Sequence, residues 1–438
     1  MSLSNEPQPA GGREVAEWKN GGRTAAFALF GYGAGPVLLI ITASVFVRPT
    51  MEATGWSTSE VLVSPVLVLL LSACGPIAGR LADRWGARKT IIAGLVPFSV
   101  ILTLFALLPI NKVTFYGLAL ASGIIGSFAY MVPFNRAVVS WFDKGAGKAF
   151  GLVGSGSAVM ALIATPIVTL AIYNFGWQAG YLVLAGFVLL ISLPAVVFGM
   201  QDRLRTNEVH GSSAESPDAA RSVKQVLRTP RYWIFSFSIF AVTTATTGYL
   251  AHLQPILLDS GLSVAVATTV TTLYSVGTIA GRLLGGTLLD FFPRRKIAVA
   301  VSILLAAAFG SLVMIATGSV PIFIIAIAVI LVALSQGAEA DIGAYFVAKE
   351  YGPRNFGTLY STALALSGVA AVASPYAFGA IRDASGSYMW ACVVGAGGLV
   401  LAALSVLVFG MTGSRDPDPA SEPPEQSSDR APTATSEA

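Results

Sequence analysis

The chain has 438 residues, 54% of them hydrophobic and only 11% charged, with 45 glycines and a mean hydropathy of +0.71. A soluble domain carries about a quarter charged residues, so a cytosolic globular enzyme is excluded and a chain that crosses the membrane many times is implied. The net charge of +4 and pI near 9.0 do not call for a nucleic-acid partner, because the basic residues sit in short loops between apolar runs, where topology accounts for them.

Residues 1–23 are polar and Gly-rich with no apolar core behind a positive start, which reads as a cytoplasmic segment and not a cleavable leader. A helix needs about 20 apolar residues to cross roughly 30 Å of hydrocarbon, and twelve runs of that kind follow. They are Thr24–Val47, Val61–Leu81, Thr90–Leu108, Val113–Val139, Phe150–Tyr173, Ala179–Met200, Tyr232–Leu258, Val264–Leu289, Ile297–Thr317, Val320–Ala348, Phe356–Ile381 and Tyr388–Met411. Between the sixth and seventh lies a polar linker, 201–231, holding His210-Gly-Ser-Ser-Ala-Glu-Ser-Pro-Asp218, a composition that stays unfolded. The organisation is thus a first six-helix bundle over 24–200, the linker, a second bundle over 232–411, and a disordered cytoplasmic tail over 412–438.

Loops after the even-numbered runs hold sixteen Lys and Arg, whereas the opposite loops hold only Arg48, Lys112 and Arg382. That asymmetry predicts both termini in the cytoplasm. Cys74 and Cys392 lie inside apolar runs of opposite bundles and read as core residues, not as a disulfide or metal pair.

The stretch that closes the second run and opens the third reads Gly75-Pro-Ile-Ala-Gly79-Arg-Leu-Ala-Asp83-Arg-Trp-Gly86-Ala-Arg88-Lys89, and some 206–207 residues later Gly281, Gly285-Gly286, Asp290, Arg295 and Lys296 repeat its spacing. A repeat at half the chain length implies two homologous halves, a plan common among secondary transporters. Glycines there permit a tight turn and close helix approach, and Asp83 can face a helix N-terminus or a neighbouring arginine.

Two sets of six runs, this loop with its weaker copy, and the long middle linker resemble the major facilitator superfamily over about residues 24–411. Within it, Gly55-Trp56-Ser57, the Trp141-Phe142…Lys148-Ala-Phe-Gly151 junction and Gly281-Arg282 resemble bacterial monocarboxylate and oxalate/formate-type porters. The resemblance implies an all-α membrane protein of two pseudo-symmetric six-helix bundles working by alternating access. It also implies a cytoplasmic gate at Gly79, Asp83, Gly86, Arg88, Asp290 and Arg295 that latches the outward-open state. An arginine at the place of Arg282 would face the central cavity and hold a substrate carboxylate. The pattern departs from eukaryotic-type monocarboxylate porters at Thr278, where they carry Asp, and in a first run, Thr24–Val47, without Lys; the eleventh run lacks the Lys of oxalate porters. One cavity arginine suits one carboxylate.

Charges within the runs carry the most information, because an ionised group in hydrocarbon is costly without a cavity or partner. Arg282 precedes Asp290 by eight residues, and Glu339 and Asp341 precede Lys349 by eight to ten, so all three lie about 12 Å deep at 1.5 Å per residue. Arg282 suits an anion through its fork and permanent charge, or serves as a buried structural pair. Glu339 and Asp341 are two residues apart, about 200° around a helix, so at most one looks squarely into the cavity; one of them would couple a proton, or both would simply fix helices. Tyr130, Asn135, Tyr249, Tyr274 and Tyr345 are further candidates to line the cavity, and His252 is a candidate substrate contact or proton-sensitive gate. Arg136, five residues before Trp141, either snorkels to the interface or joins the cytoplasmic gate.

No phosphate-binding Gly-x-x-x-x-Gly-Lys loop and no His/Cys metal cluster occur, so neither cofactor nor metal nor enzymatic activity is expected. The expectation is a monomeric, multi-pass transporter of the inner membrane that takes up a small organic anion by proton symport, a monocarboxylate with aromatic acids within the class, without nucleic acid. Proton-antiport efflux of drugs or amphipathic metabolites is the alternative.

Overall fold

The structure is a computed structural model describing residues 10–61, 64–109, 111–202, 222–317 and 319–412. All regular elements among these residues are helical. Most of the linker and the tail fall outside the described residues. Twelve helical rods correspond to the twelve runs. In the first half they are α1 (Ala10–Gly33, Val37–Ile41 and Ala43–Thr54), α2 (Ser64–Ala73 and Gly75–Trp85), α3 (Ala87–Leu107), α4 (Lys112–Val139), α5 (Ala146–Phe175) and α6 (Trp177–Gly199). The second half holds α7 (Pro230–Asp259), α8 (Val264–Phe291), α9 (Pro293–Ala316), α10 (Ile322–Tyr351), α11 (Phe356–Ser385) and α12 (Met389–Met411). Nine helices among the described residues are long and apolar enough to span a membrane, ten when the bent halves of α2 count as one; α1, in three pieces, and α8 complete the twelve.

The breaks have local causes. Pro36 and Pro76 stand at interruptions of α1 and α2, where the missing N–H and the ring disrupt the ladder, and α2 bends by 40° there. α4 passes through a 3-10 turn, Ser127–Ala129, and an extended Tyr130 before resuming at Met131. α1 begins at Ala10, well ahead of its apolar run, because its polar first turns find partners described below.

Small residues set the packing. Gly277, Gly281 and Gly285 of α8 lie so close to Ala333, Leu334 and Ala338 of α10 that an added Cβ would overlap them, which lets the two backbones approach as in other membrane bundles. The halves meet along two seams that follow the internal repeat. Gly79 of α2 meets the Gly357 carbonyl of α11, and Gly286 of α8 meets the Gly147 carbonyl of α5, each with no space for a side chain. Phe150 of α5 stacks on Phe356 of α11 across the middle, ring centroids 6.2 Å apart.

Candidate functional site

One seam leads from Gly147 along α5 to Gly154. The Arg282 Nη1 donates to the Gly154 carbonyl at 3.2 Å. A Cβ at residue 154 would stand 2.8 Å from that nitrogen and 3.4 and 3.7 Å from the two Asp341 oxygens. Glycine here is therefore what lets a guanidinium of α8 and a carboxylate of α10 converge on the opposite half. Asp341 is fully buried, and neither of its oxygens has a hydrogen-bond partner among the described residues.

Three tyrosines complete the surroundings. Tyr32 of α1, Tyr130 of α4 and Tyr360 of α11 act electrostatically on Arg282 together with Asp341. The Tyr32 ring lies 6.0 Å from Tyr130 and 5.9 Å from Phe134, and the Tyr360 hydroxyl donates to the Ala340 carbonyl at 2.7 Å. Residues from α1, α4, α5, α8, α10 and α11 thus meet at one depth, between the halves. Such a place offers an anion a forked donor and aromatic walls.

Glu339 points elsewhere, as the 200° separation requires. It is half-buried and contacts the Thr243 hydroxyl of α7; one turn earlier on α10, Gln336 faces Thr278 of α8 at 3.5 Å.

The remaining cavity candidates are dispersed. Tyr249 is buried, with its hydroxyl donating to the Cys392 carbonyl at 2.9 Å and meeting Ser311, inside the packing of α7, α9 and α12. Tyr274 donates to the Thr246 carbonyl at 3.1 Å, and Tyr345 is buried against Phe346. His252 is held by the Tyr388 hydroxyl at 3.0 Å and the Pro375 carbonyl at 2.8 Å. Asn135 is wholly buried with both amide atoms lacking partners.

The gate residues divide into crossing and non-crossing sets. Asp83 accepts from the Gly357 and Thr358 amides at 3.0 and 2.9 Å and from the Thr358 hydroxyl at 2.9 Å. This carboxylate of the first half therefore caps α11 of the second, where the helix dipole and unpaired amides favour an anion. Arg136 of α4 pairs with it at 3.0 Å, the two side chains being 16% and 10% exposed. Asp290 does the reciprocal work, accepting from the Gly147 and Lys148 amides of α5 at 3.2 and 2.8 Å. Lys349 crosses as well, reaching Asp143 at 2.5 Å. Arg88 stays within the first half, where its side chain donates to the Val197 carbonyl at 2.5 Å and its amide to Asp202 at 2.9 Å. Gly86 has φ 92° with Asp202 against it, a turn that needs glycine. Burial raises the Asp202 carboxyl above its ordinary range. Arg295 is exposed.

Sequence reasoning missed several partners. Gly147 and Gly357 each stand second in their helices, a shared signal that could have marked them as the receiving sides. Tyr32, Tyr360 and Gly154 carried no such mark. The extension of α1 is a third addition: Glu17 accepts from the Lys144 and Gly145 amides at 3.1 and 3.0 Å, Glu14 pairs with Lys148 at 2.5 Å, and Trp18 packs edge-on to Phe142 at 4.9 Å. It braces the α4–α5 loop that Asp290 and Lys349 engage.

The Major Facilitator Superfamily model matches residues 24–263 and 253–437. The chain belongs to the major facilitator superfamily. As a member, it is similar to human "Monocarboxylate transporter 11", 26% identical over 300 residues that make up 65% of this chain and 59% of that one. It is also similar to the "Galacturonate transporter" of Dickeya chrysanthemi, 26% identical over 277 residues, 59% of this chain and 79% of the relative. The chain spans about three-fifths of the length of the first curated relatives it matches. Among solved structures, the E. coli fucose:proton symporter superposes with a TM-score of 0.67 at 16% identity, over 89% of this chain and 98% of that one. The human organic anion transporter does so with 0.61 at 15% identity, over 91% and 100%. At such identities these structures speak for the shared fold. The chain is thus a multi-pass membrane protein of the superfamily, built on its all-helical plan.

Proposed function

We propose that this transporter moves a small organic anion, a monocarboxylate with aromatic acids among the candidates, across the cell's inner membrane by proton symport and alternating access. The observation that carries the reading is the convergence of Arg282, buried Asp341 and three tyrosines at Gly154, between the halves and about 12 Å from the gate at 1.5 Å per helical residue. Arg282 holds the carboxylate. Asp341 or Glu339 carries the proton: protonated, Asp341 needs no counter-charge, and ionised it needs Arg282, so substrate and carboxylate compete for one guanidinium. The name of the human relative, a monocarboxylate transporter, supports the substrate class. With both termini cytoplasmic, the contacts of Asp83 and Asp290 close the inner side of a monomeric carrier.

The test is uptake of labelled monocarboxylates, dicarboxylates and aromatic acids into proteoliposomes under an inward proton gradient. One acid should accumulate, and Arg282→Ala and Arg282→Lys should both abolish it, the second because a lysine lacks the fork. If no acid moves, or both variants transport normally, the carboxylate reading falls and proton-antiport efflux of neutral or cationic compounds takes its place.

A further inference from the structure

The hydroxyl of Thr243 lies 3.0 Å from the Ile239 carbonyl and also in hydrogen-bonding contact with Glu339. A hydroxyl has one hydrogen. If it serves the carbonyl, which can only accept, the contact with Glu339 needs a hydrogen from the carboxyl group itself. With its hydrogen on the carbonyl, the threonine oxygen can accept from Glu339 as a neutral acid; with its hydrogen turned to Glu339, it donates to the carboxylate and the Ile239 carbonyl keeps its helical amide bond, so the pair accommodates Glu339 with or without a proton.

The charge balance favours the proton. Among the described residues, Arg282 is the only cation that acts on Glu339 and Asp341, and one guanidinium offsets one carboxylate. The groups facing Glu339 are Thr243 from α7, Arg282 and Tyr274 from α8, and Tyr360 from α11. All belong to the second half, whereas Asp341 meets Gly154 of the first. A movement of one half against the other changes what Asp341 faces and leaves the partners of Glu339 in place. Glu339 is also half-buried where Asp341 is fully buried, so the two carboxyls differ in access as well as in partners.

We infer that Glu339 is a second proton site, loaded independently of the Arg282–Asp341 pair, so that each singly charged anion travels with two protons. This rests on the proton-symport reading above. One anion and two protons entering together move one net positive charge inward per cycle, so transport is electrogenic; a single proton would leave it electroneutral.

Two measurements on the full-length protein in lipid test this. The infrared carbonyl stretch of protonated carboxyl groups, followed through a pH titration without substrate, should contain two buried components. Glu339→Gln should remove one and leave that of Asp341, and Thr243→Val, which keeps the carboxyl, should shift the same component. In proteoliposomes loaded with potassium and treated with valinomycin, initial uptake of pyruvate and benzoate should rise several-fold under an inside-negative potential in the wild type. Whatever rate Glu339→Gln retains should ignore the potential. Electroneutral uptake in the wild type, or a spectrum that Glu339→Gln leaves unchanged, overturns the inference while the anion-symport reading stands. If neither acid is taken up, that reading fails on its own and the infrared titration still decides for or against a proton on Glu339.

Discussion

The two ends of the molecule hold their charges differently. At the end carrying the repeated loops, Asp83, Asp290 and Lys349 each reach from one half into the other. At the opposite end the described ion pairs stay inside one half: Lys112 with Glu60 at 2.5 Å and Arg48 with Glu52 at 2.7 Å in the first, Arg382 with Asp259 at 3.4 Å in the second. Under the alternating access proposed above, contacts that bridge halves would have to break in each cycle, and contacts within a half would not. The first end is where this conformation is held together.

Within the closed end the two carboxylates are also unequal, since Asp83 has a hydrogen-bonded, largely buried arginine as well as helix amides, whereas Asp290 has amides and only the longer-range charges of Lys148 and Lys349. The largest effect is therefore expected from Asp83→Ala. Removing one partner of a buried ion pair costs about 3–5 kcal/mol because the other charge is stranded, here Arg136. Nitroxides on Arg80→Cys and Arg354→Cys, in a background without Cys74 and Cys392, should move apart by double electron–electron resonance. Asp290→Ala should shift the same distance distribution less, in line with the about 1.5–3 kcal/mol of a charged hydrogen bond. Equal shifts would mean that Arg136 adds nothing.

The glycine seams, unlike the carboxylates, are alike. Gly79→Ala and Gly286→Ala each put a methyl into a backbone carbonyl of the other half, and overpacking of this kind costs about 1–3 kcal/mol. Both should open the labelled end to a similar degree; an effect of one without the other would show that the seams carry different loads.

Asp202 is the smallest perturbation. It too faces helix amides, those opening α3, but within one half. Its raised pKa means that the folded chain binds the proton more tightly than the unfolded one. Thermal stability should therefore fall as pH rises from 3.8, the ordinary value, through the raised one, and level off above both. Asp202→Asn should flatten that slope without moving the nitroxide distance. A change in the distance would place Asp202 among the crossing contacts.

Much of this was legible in the sequence because membrane solvation leaves a coarse record. Apolar run length marked the twelve rods, the cost of charge in hydrocarbon singled out Arg282, Glu339 and Asp341, and helical periodicity separated the two carboxylates. The repeat pointed to Asp83 and Asp290. What receives them was not legible, since a bare helix N-terminus has no residue signature beyond the glycine that lets another backbone near. Tyr32 and Tyr360 stayed hidden because tyrosine is common in such helices and only tertiary packing decides which ones turn inward. The extension of α1 reads as a polar tail until the α4–α5 loop is in place to receive Glu14, Glu17 and Trp18.

The two glycine seams also set how the closed end responds to temperature. Where glycine faces a carbonyl, separation wets peptide groups more than hydrocarbon, the Phe150–Phe356 stack being the aromatic exception along them. Apolar and polar exposure change heat capacity in opposite directions. Opening the gate along such a contact should therefore carry a small heat-capacity change, and the balance between closed and open forms should follow a nearly straight van't Hoff line, its slope set by a single enthalpy across the working temperatures.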